Sequence, residues 1–174
     1  PVPPSTPCFQ APPVCVDKLL YRGTATLSVP ANGIRLVYQR CCRNPGISNV
    51  PNAGNFGSTY ELIIPPISTA SCNSSPSFDN TAPNFICVNQ ESTFDFSATD
   101  PDGDVLTYEL CAPKQGADIT DPAPIQASFP PYPNIPYGLG FSFNTPLGFG
   151  VPITINAATG QLKVTASTVG LYIV

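Results

Sequence analysis

Three aspartates at alternate positions are the residues of this sequence best suited to chemistry. Asp100, Asp102 and Asp104 lie in the run Asp-Pro-Asp-Gly-Asp, directly before the strand-like residues 105–110. Calcium takes six to eight oxygen ligands, and closely spaced carboxylates can supply them. The same run is also ordinary turn chemistry, because Pro presets φ and Gly permits a positive φ. We therefore expect either a calcium site or a plain turn here.

Cysteines form the second set of reactive side chains. The seven are Cys8, Cys15, Cys41, Cys42, Cys72, Cys87 and Cys111. The sequence has no histidine and no Cys-x-x-Cys pair, so a zinc site is not expected. Disulfides in an oxidising compartment explain the cysteines better and predict a secreted or cell-surface protein. Cys41 and Cys42 could form a redox switch, but adjacent side chains on a strand point to opposite faces, so we expect the two to bridge to two different partners. A Cys8–Cys15 bridge is a further expectation.

The composition argues against several classes of function. Only 10% of the 174 residues are charged and the net charge is −4, whereas nucleic-acid binding needs a basic footprint. No stretch approaches the roughly 20 apolar residues of a membrane helix, so we expect no membrane insertion. Without histidine there is no Ser-His or Cys-His pair, and no phosphate-binding loop is visible. We expect a protein that is not an enzyme.

Apolar residues recur with a period of two, which is typical of strands. Such patterns cover residues 24–29, 34–40 and 60–64, with an Asn32-Gly33 turn between the first two. In the second half they cover residues 94–98, 106–110 and 169–174, and residues 153–164 read as a hairpin. We expect an all-β fold of two Ig-like sandwiches with Pro-rich loops. The predicted domains are residues 1–72 and 85–174, joined by a linker at 73–84.

Two further features have alternative explanations. Arg40 and Arg43 flank the Cys pair and could bind an acidic partner, although an ion pair with Glu61 is the simpler expectation. The long segment 114–152 is rich in Pro and aromatic residues, among them Phe129, Tyr132, Tyr137 and Phe141. These side chains could contact a glycan or protein receptor, or they could pack over the edge of a sandwich. Asp95 and Asp121 are expected to be plain surface charges.

Residues around the aspartate run resemble a cadherin-like repeat. The matching elements are Asp-Asn-Thr-Ala-Pro at 79–83, the glutamate at 91 and Asp-Pro-Asp-Gly-Asp at 100–104. Such repeats are Ig-like sandwiches with calcium at the domain junction. The resemblance implies that calcium would be held by Asp79, Asn80, Glu91, Asp100 and Asp102. Residues 156–162 and 168–172 are similar to the putative-Ig modules of bacterial surface proteins.

The chain as a whole resembles large secreted multi-domain proteins of Bacteroidetes. The shared elements are Tyr-Gln-Arg-Cys-Cys-Arg-Asn at 38–44, Asn-Ser-Ser-Pro-Ser-Phe at 73–78, Ile-Cys-Val-Asn at 86–89 and the aspartate run. Family members are surface or adhesin-like cargo of the gliding-motility-associated type. The resemblance implies strands before residue 1 and a further cysteine after residue 174, which would match the odd count.

Together these expectations describe a disulfide-stapled structural or adhesive module. Its partners would be other domains or copies of the same protein, or a surface glycan or protein receptor. One alternative is a subunit of an extracellular filament assembled by strand donation or domain stacking. Another is a glycan-binding module that uses the aromatic loop 129–149.

Overall fold

Short strands provide the regular structure of this chain. The computed structural model describes residues 22–69, 72–80 and 85–174; the predicted Cys8–Cys15 bridge lies outside them. Within these ranges the strands are β1 (Ile34–Arg40), β2 (Ser58–Ile64), β3 (Ser77–Phe78), β4 (Glu91–Asp95), β5 (Ala98–Thr99), β6 (Thr154–Ile155) and β7 (Gln161–Thr165). A single 3-10 turn, Ala53–Asn55, is the helical element of the described part. The predicted all-β class is confirmed. No described helix is long and apolar enough to cross a membrane.

The longest strands, β1 and β2, form an antiparallel pair. Their register runs from Ile34 opposite Ile64 to Arg40 opposite Ser58. The predicted strands 34–40 and 60–64 are thereby confirmed, because both are rich in the β-branched and aromatic residues that suit a pleated surface. The predicted strand 24–29 is wrong. Residues 22–28 are exposed and unpaired in the described structure, so their apolar alternation has no sheet to join.

The second sheet has the order β4-β7-β6 and is antiparallel throughout. Its β6–β7 hairpin, predicted from residues 153–164, is confirmed. Asn156 closes the turn, because its side-chain oxygen accepts hydrogen bonds from the N–H groups of Ala158 and Thr159. Gly160 follows with φ of 71°, a conformation that favours glycine. The predicted strands 106–110 and 169–174 are mostly irregular, and only an isolated bridge from Leu171 to Ile47 remains.

The apolar interior consists of two clusters. One lies under the β4-β7-β6 sheet and contains Leu147, Ile153, Leu162, Val164 and Ala166. The other contains Val50, Ala53 and Ile135, with Ile47, Phe56, Tyr137 and Ile173 packed against it. The predicted division at residues 73–84 stays a prediction, but the second cluster draws its residues from both sides of it. Segments distant in sequence therefore share one core.

Asn49 joins these segments by hydrogen bonds. It is fully buried, and its side-chain NH₂ donates to the carbonyls of Pro146 and Ile173 at 2.9 and 2.7 Å. Its side-chain oxygen accepts from the N–H of Ile173 at 3.0 Å. One amide therefore provides hydrogen-bond partners for three backbone groups that lie outside any strand ladder. Buried polar groups require such partners.

We expect Asn49→Ala to lower the free energy of unfolding by about 3 kcal/mol, because it leaves buried backbone groups without partners. Chemical denaturation of the whole chain measures the change. The matched control is Asn73→Ala, since Asn73 is exposed and makes one long side-chain hydrogen bond of 3.5 Å. Equal stability of the two variants would contradict the role given to Asn49.

Candidate functional site

A groove lies where the end of the β1–β2 pair meets the irregular segment 115–128. Its volume is about 580 Å³, and it is open to solvent along one side. The lining residues that matter chemically are Gln39, Asn55, Phe56, Asp118, Asp121 and Gln126. Because four of its twelve lining residues carry side-chain amides, we call it the amide groove. No sequence pattern predicts this groove, since its residues come from three separate segments.

Gln39 fixes the inner wall of the amide groove. This buried side chain donates to the hydroxyls of Thr59 at 2.9 Å and Ser128 at 2.8 Å. It also accepts from the N–H of Ser128 at 3.0 Å. The N–H of Cys41 donates to the carbonyl of Pro122 at 2.9 Å, which holds the middle of the same segment. The segment is thus held at two points by the chain around the end of β1.

Glycine allows the segment to approach the strands closely. A Cβ at Gly116 would lie 2.6 Å from Nε2 of Gln39 and would also collide with the Thr59 hydroxyl. A Cβ at Gly57 would likewise collide with the carbonyl oxygen of Gly116. Ala117 follows with φ of 59°, a left-handed conformation that costs a residue with a Cβ about 1–2 kcal/mol. Strain of this kind clusters at functional sites.

The two carboxylates of the amide groove differ in their surroundings. One oxygen of Asp118 accepts hydrogen bonds from the hydroxyl and N–H of Thr120 and from the N–H of Asp121. These bonds to Thr120 and Asp121 lower the pKa of Asp118, so it is ionised at neutral pH. The exposed carboxylate of Asp121, predicted to be a plain surface charge, lines the groove.

The aspartate run forms a turn. One carboxylate oxygen of Asp100 accepts from the N–H of Asp102 at 2.8 Å and from that of Asp104 at 3.3 Å. The Asp102 carboxylate accepts from the N–H of Ser74. Gly103 has φ of 80°, as the turn chemistry predicts. These carboxylates therefore organise backbone N–H groups, which is the second of the two sequence-based expectations.

Two other residues of the predicted calcium set form hydrogen bonds within the protein. Asp79 accepts from the Thr99 hydroxyl at 3.0 Å, and Asn80 donates to Asp95 at 3.1 Å. The Ser97 N–H lowers the pKa of Asp95 by hydrogen bonding. Glu91 begins β4, about 13 Å from Asp95 at four strand steps. No three His, Cys, Asp or Glu side chains of the described residues form a group that could hold a metal ion. Calcium stays a prediction.

The cysteines correct one sequence-based expectation. Cys41 and Cys42 are bonded to each other across a cis peptide bond, not to two different partners. The expectation was wrong because β1 ends at Arg40, so the alternation of faces along a strand no longer applies to the pair. Cys87 is also disulfide-bonded. Cys72 and Cys111 are free and exposed.

The predicted partner of Glu61 is also corrected. Glu61 forms its ion pair with Arg35, two positions diagonally across the β1–β2 register. Arg43 instead donates to the carbonyls of Gly57 and Lys114, both at 3.1 Å. Burial lowers the pKa of Arg43. Arg40 lies on the opposite face of β1 from Arg35, which is why it does not reach Glu61.

The predicted aromatic contact loop divides between packing and exposure. Phe129 is largely exposed, whereas Phe141 packs on Tyr172 with ring centroids 6.4 Å apart. Tyr137 packs against the second core cluster, and burial raises its pKa. Burial and the nearby charge of Glu61 raise the pKa of Tyr132. Tyr137 and Phe141 are therefore engaged in packing, and the receptor-contact role of the loop stays a prediction.

One face of the β1–β2 pair is apolar and exposed, and we call it the hairpin face. Its residues are Ile34, Leu36, Tyr38, Tyr60, Leu62 and Ile64, which lie opposite one another in the register. The exposed fractions of Tyr38 and Tyr60 are 60% and 63%, and their rings are 6.3 Å apart. Leu36 and Leu62 are 42% and 46% exposed. Contiguous exposed apolar surface of this kind marks interaction sites.

Comparison with known proteins found no match. No protein-family model, no curated protein and no solved structure is significantly similar to the chain.

We expect Gly116→Ala to destabilise the protein by about 1–3 kcal/mol, because the added methyl group overpacks the contact with Thr59 and Gln39. Thermal unfolding measures the change. Gly23→Ala is the control, since a Cβ there would meet nothing within 4 Å. A Gly116→Ala protein as stable as the control would contradict the close contact.

We expect Asp100→Ala to lower the free energy of unfolding by about 1 kcal/mol, equally in 5 mM calcium and in chelator, because the turn loses its acceptor. Thermal melts of both samples measure this. A calcium site at 100-fold excess over Kd would add about 2.7 kcal/mol. A calcium-dependent rise in Tm that disappears in Asp100→Asn/Asp102→Asn would support the calcium site instead.

Proposed function

We propose that this chain is a non-enzymatic structural or adhesive module of a secreted surface protein. Its strands would belong to Ig-like sandwiches, and the module would pack against another copy of itself or a neighbouring module of the same protein. The hairpin face is the observation that carries the proposal. The extracellular setting is supported by the bonded Cys41–Cys42 pair and by the disulfide at Cys87, since disulfides persist in oxidising compartments.

The composition of the hairpin face favours a second apolar sheet face as its partner. The six side chains of the hairpin face carry no charge, and the exposed Arg40 continues the same side of β1 next to Tyr38. A charged or strongly polar partner would lose hydration against such a surface without gaining ion pairs. An apolar face of the same kind loses little hydration in such a contact. A second copy of the chain presents such a face when the two copies pack about a twofold axis. The aromatic pair lies at one end of the face and supplies its two largest side chains, of a residue type that is enriched among energetically important interface residues.

The sequence resemblance to secreted Bacteroidetes surface proteins agrees with this proposal and stays a prediction. Filament assembly is the alternative. It would follow if the hairpin face bound a different surface of the next copy, because such a head-to-tail contact can repeat indefinitely. The size of the assembled species separates the two, because a twofold contact stops at a dimer.

We expect the chain to self-associate with rising concentration, and Tyr38→Ser/Tyr60→Ser to weaken this at least tenfold, since the two aromatic anchors of the face are lost. Sedimentation velocity from about 5 to 500 µM measures the dissociation constant and the size of the species.

The control is Val105→Ser/Leu139→Ser, which removes two apolar side chains that are also highly exposed but lie away from the hairpin face. A wild-type chain that stays monomeric throughout the range would contradict packing against a second copy. Equal weakening by both double variants would contradict the role of the hairpin face.

A further inference from the structure

We propose that the amide groove binds a neutral carbohydrate. This proposal is independent of the hairpin face, because the two surfaces share no residues. It also differs from the glycan loop expected from the sequence, since the aromatic side chains of residues 129–149 do not line the groove.

The charges and polar groups of the amide groove select the class of ligand. Its lining residues in the described chain include no lysine or arginine, while Asp118 and Asp121 are acidic. A phosphate, sulfate or uronic acid would be repelled by these carboxylates. A sugar hydroxyl is both donor and acceptor, so it can donate to a carboxylate and accept from an amide NH₂. Neighbouring hydroxyls on a sugar ring can therefore bond to the carboxylate and amide groups that line the groove.

Unoccupied polar groups are available in the groove. The side chains of Asn55, Asp121 and Gln126 are exposed and make no hydrogen bond within the described structure. They differ from Gln39, whose side chain is fully used in holding the wall. Two amides and one carboxylate can therefore bond a ligand without breaking a contact of the fold.

The groove is also held in shape before any ligand arrives. The bonds of Gln39 to Thr59 and Ser128, together with the Cys41–Pro122 backbone bond, fix the two walls relative to each other. A wall that is already ordered reduces the entropy that binding must overcome. Ala117 is held in a strained conformation at the same wall, as functional sites often require.

Size and shape complete the argument. A volume of about 580 Å³ lies within the range of small-molecule sites, roughly 300–1,000 Å³, and admits a di- or trisaccharide. Phe56 is half-buried in the second core cluster and also lines the groove. An aromatic ring offers the apolar surface on which the C–H face of a sugar ring packs. The open side would allow a longer chain to extend beyond the groove.

The test uses the full chain and a defined set of probes. These are neutral tetrasaccharides of β-glucose, β-mannose, β-xylose, β-galactose and N-acetylglucosamine, with tetragalacturonate as the acidic counterpart. NMR titration to about 5 mM measures binding and locates the shifted resonances. We expect at least one neutral probe to bind, with shifts at Asn55, Asp118 and Gln126, and no binding of tetragalacturonate.

The variants locate the site. Asn55→Ala and Asp121→Ala should each weaken the binding at least tenfold, and both should keep the wild-type Tm because their side chains hold no contact of the fold. Glu91→Ala, at a second and smaller groove beside β4, is the matched control and should bind as the wild type does. The proposal is overturned if no neutral probe binds, if tetragalacturonate binds more tightly, or if the two groove variants bind as well as Glu91→Ala. If calcium chloride alone shifts the Asp118 and Asp121 resonances and no sugar does, the groove is a cation site and the proposal is overturned.

Discussion

The buried amides of Asn49 and Gln39 hold this protein together where strand ladders do not. Each satisfies backbone or hydroxyl groups from segments that lie about 90 to 125 positions away in the chain. Most of the second half is irregular, so its backbone groups cannot find partners in a sheet. A side-chain amide offers both a donor and an acceptor in one plane, and it can therefore replace a missing piece of ladder. The position of the amide groove depends on this use of a side-chain amide in place of a strand ladder.

Local patterns predicted those parts of the fold whose partners are close in sequence. The β6–β7 hairpin follows from the Asn156 turn and Gly160, and the strands β1 and β2 follow from their apolar and β-branched runs, although the predicted Asn32-Gly33 turn paired β1 with residues 24–29 instead. The period-two pattern at residues 24–29 was equally good, but a strand needs a neighbour and none lies beside it in the described structure. The run 106–110 behaves in the same way, with one backbone bond from Tyr108 to Ala157 in place of a ladder. Pairing is a property of the whole fold.

The candidate sites show the same distinction. The turn at Asp100 was readable because an aspartate and the N–H groups that it binds lie within four residues. The amide groove was not, since nothing in the sequence links Gln39 to Ser128 across 89 positions. The close approach of Gly116 left only a weak signal, a glycine amid polar residues in a Pro-rich stretch. The alternation in β1 correctly placed Ile34, Leu36 and Tyr38 on one face, but it could not show that this face is exposed.

The segment that borders the amide groove is held largely by its backbone and by side chains of other segments. Pro122 accepts through its carbonyl, Ser128 bonds to Gln39 through its N–H and hydroxyl, and Gly116 contributes only its small size. Ile125 and Gln126, which lie between Pro122 and Ser128, are exposed, and Gln126 also lines the groove. Such positions can be exchanged in evolution without loss of the fold. Relatives of this chain would therefore be expected to keep the amides and glycines of the frame while the outward residues diverge, giving one scaffold a range of binding preferences.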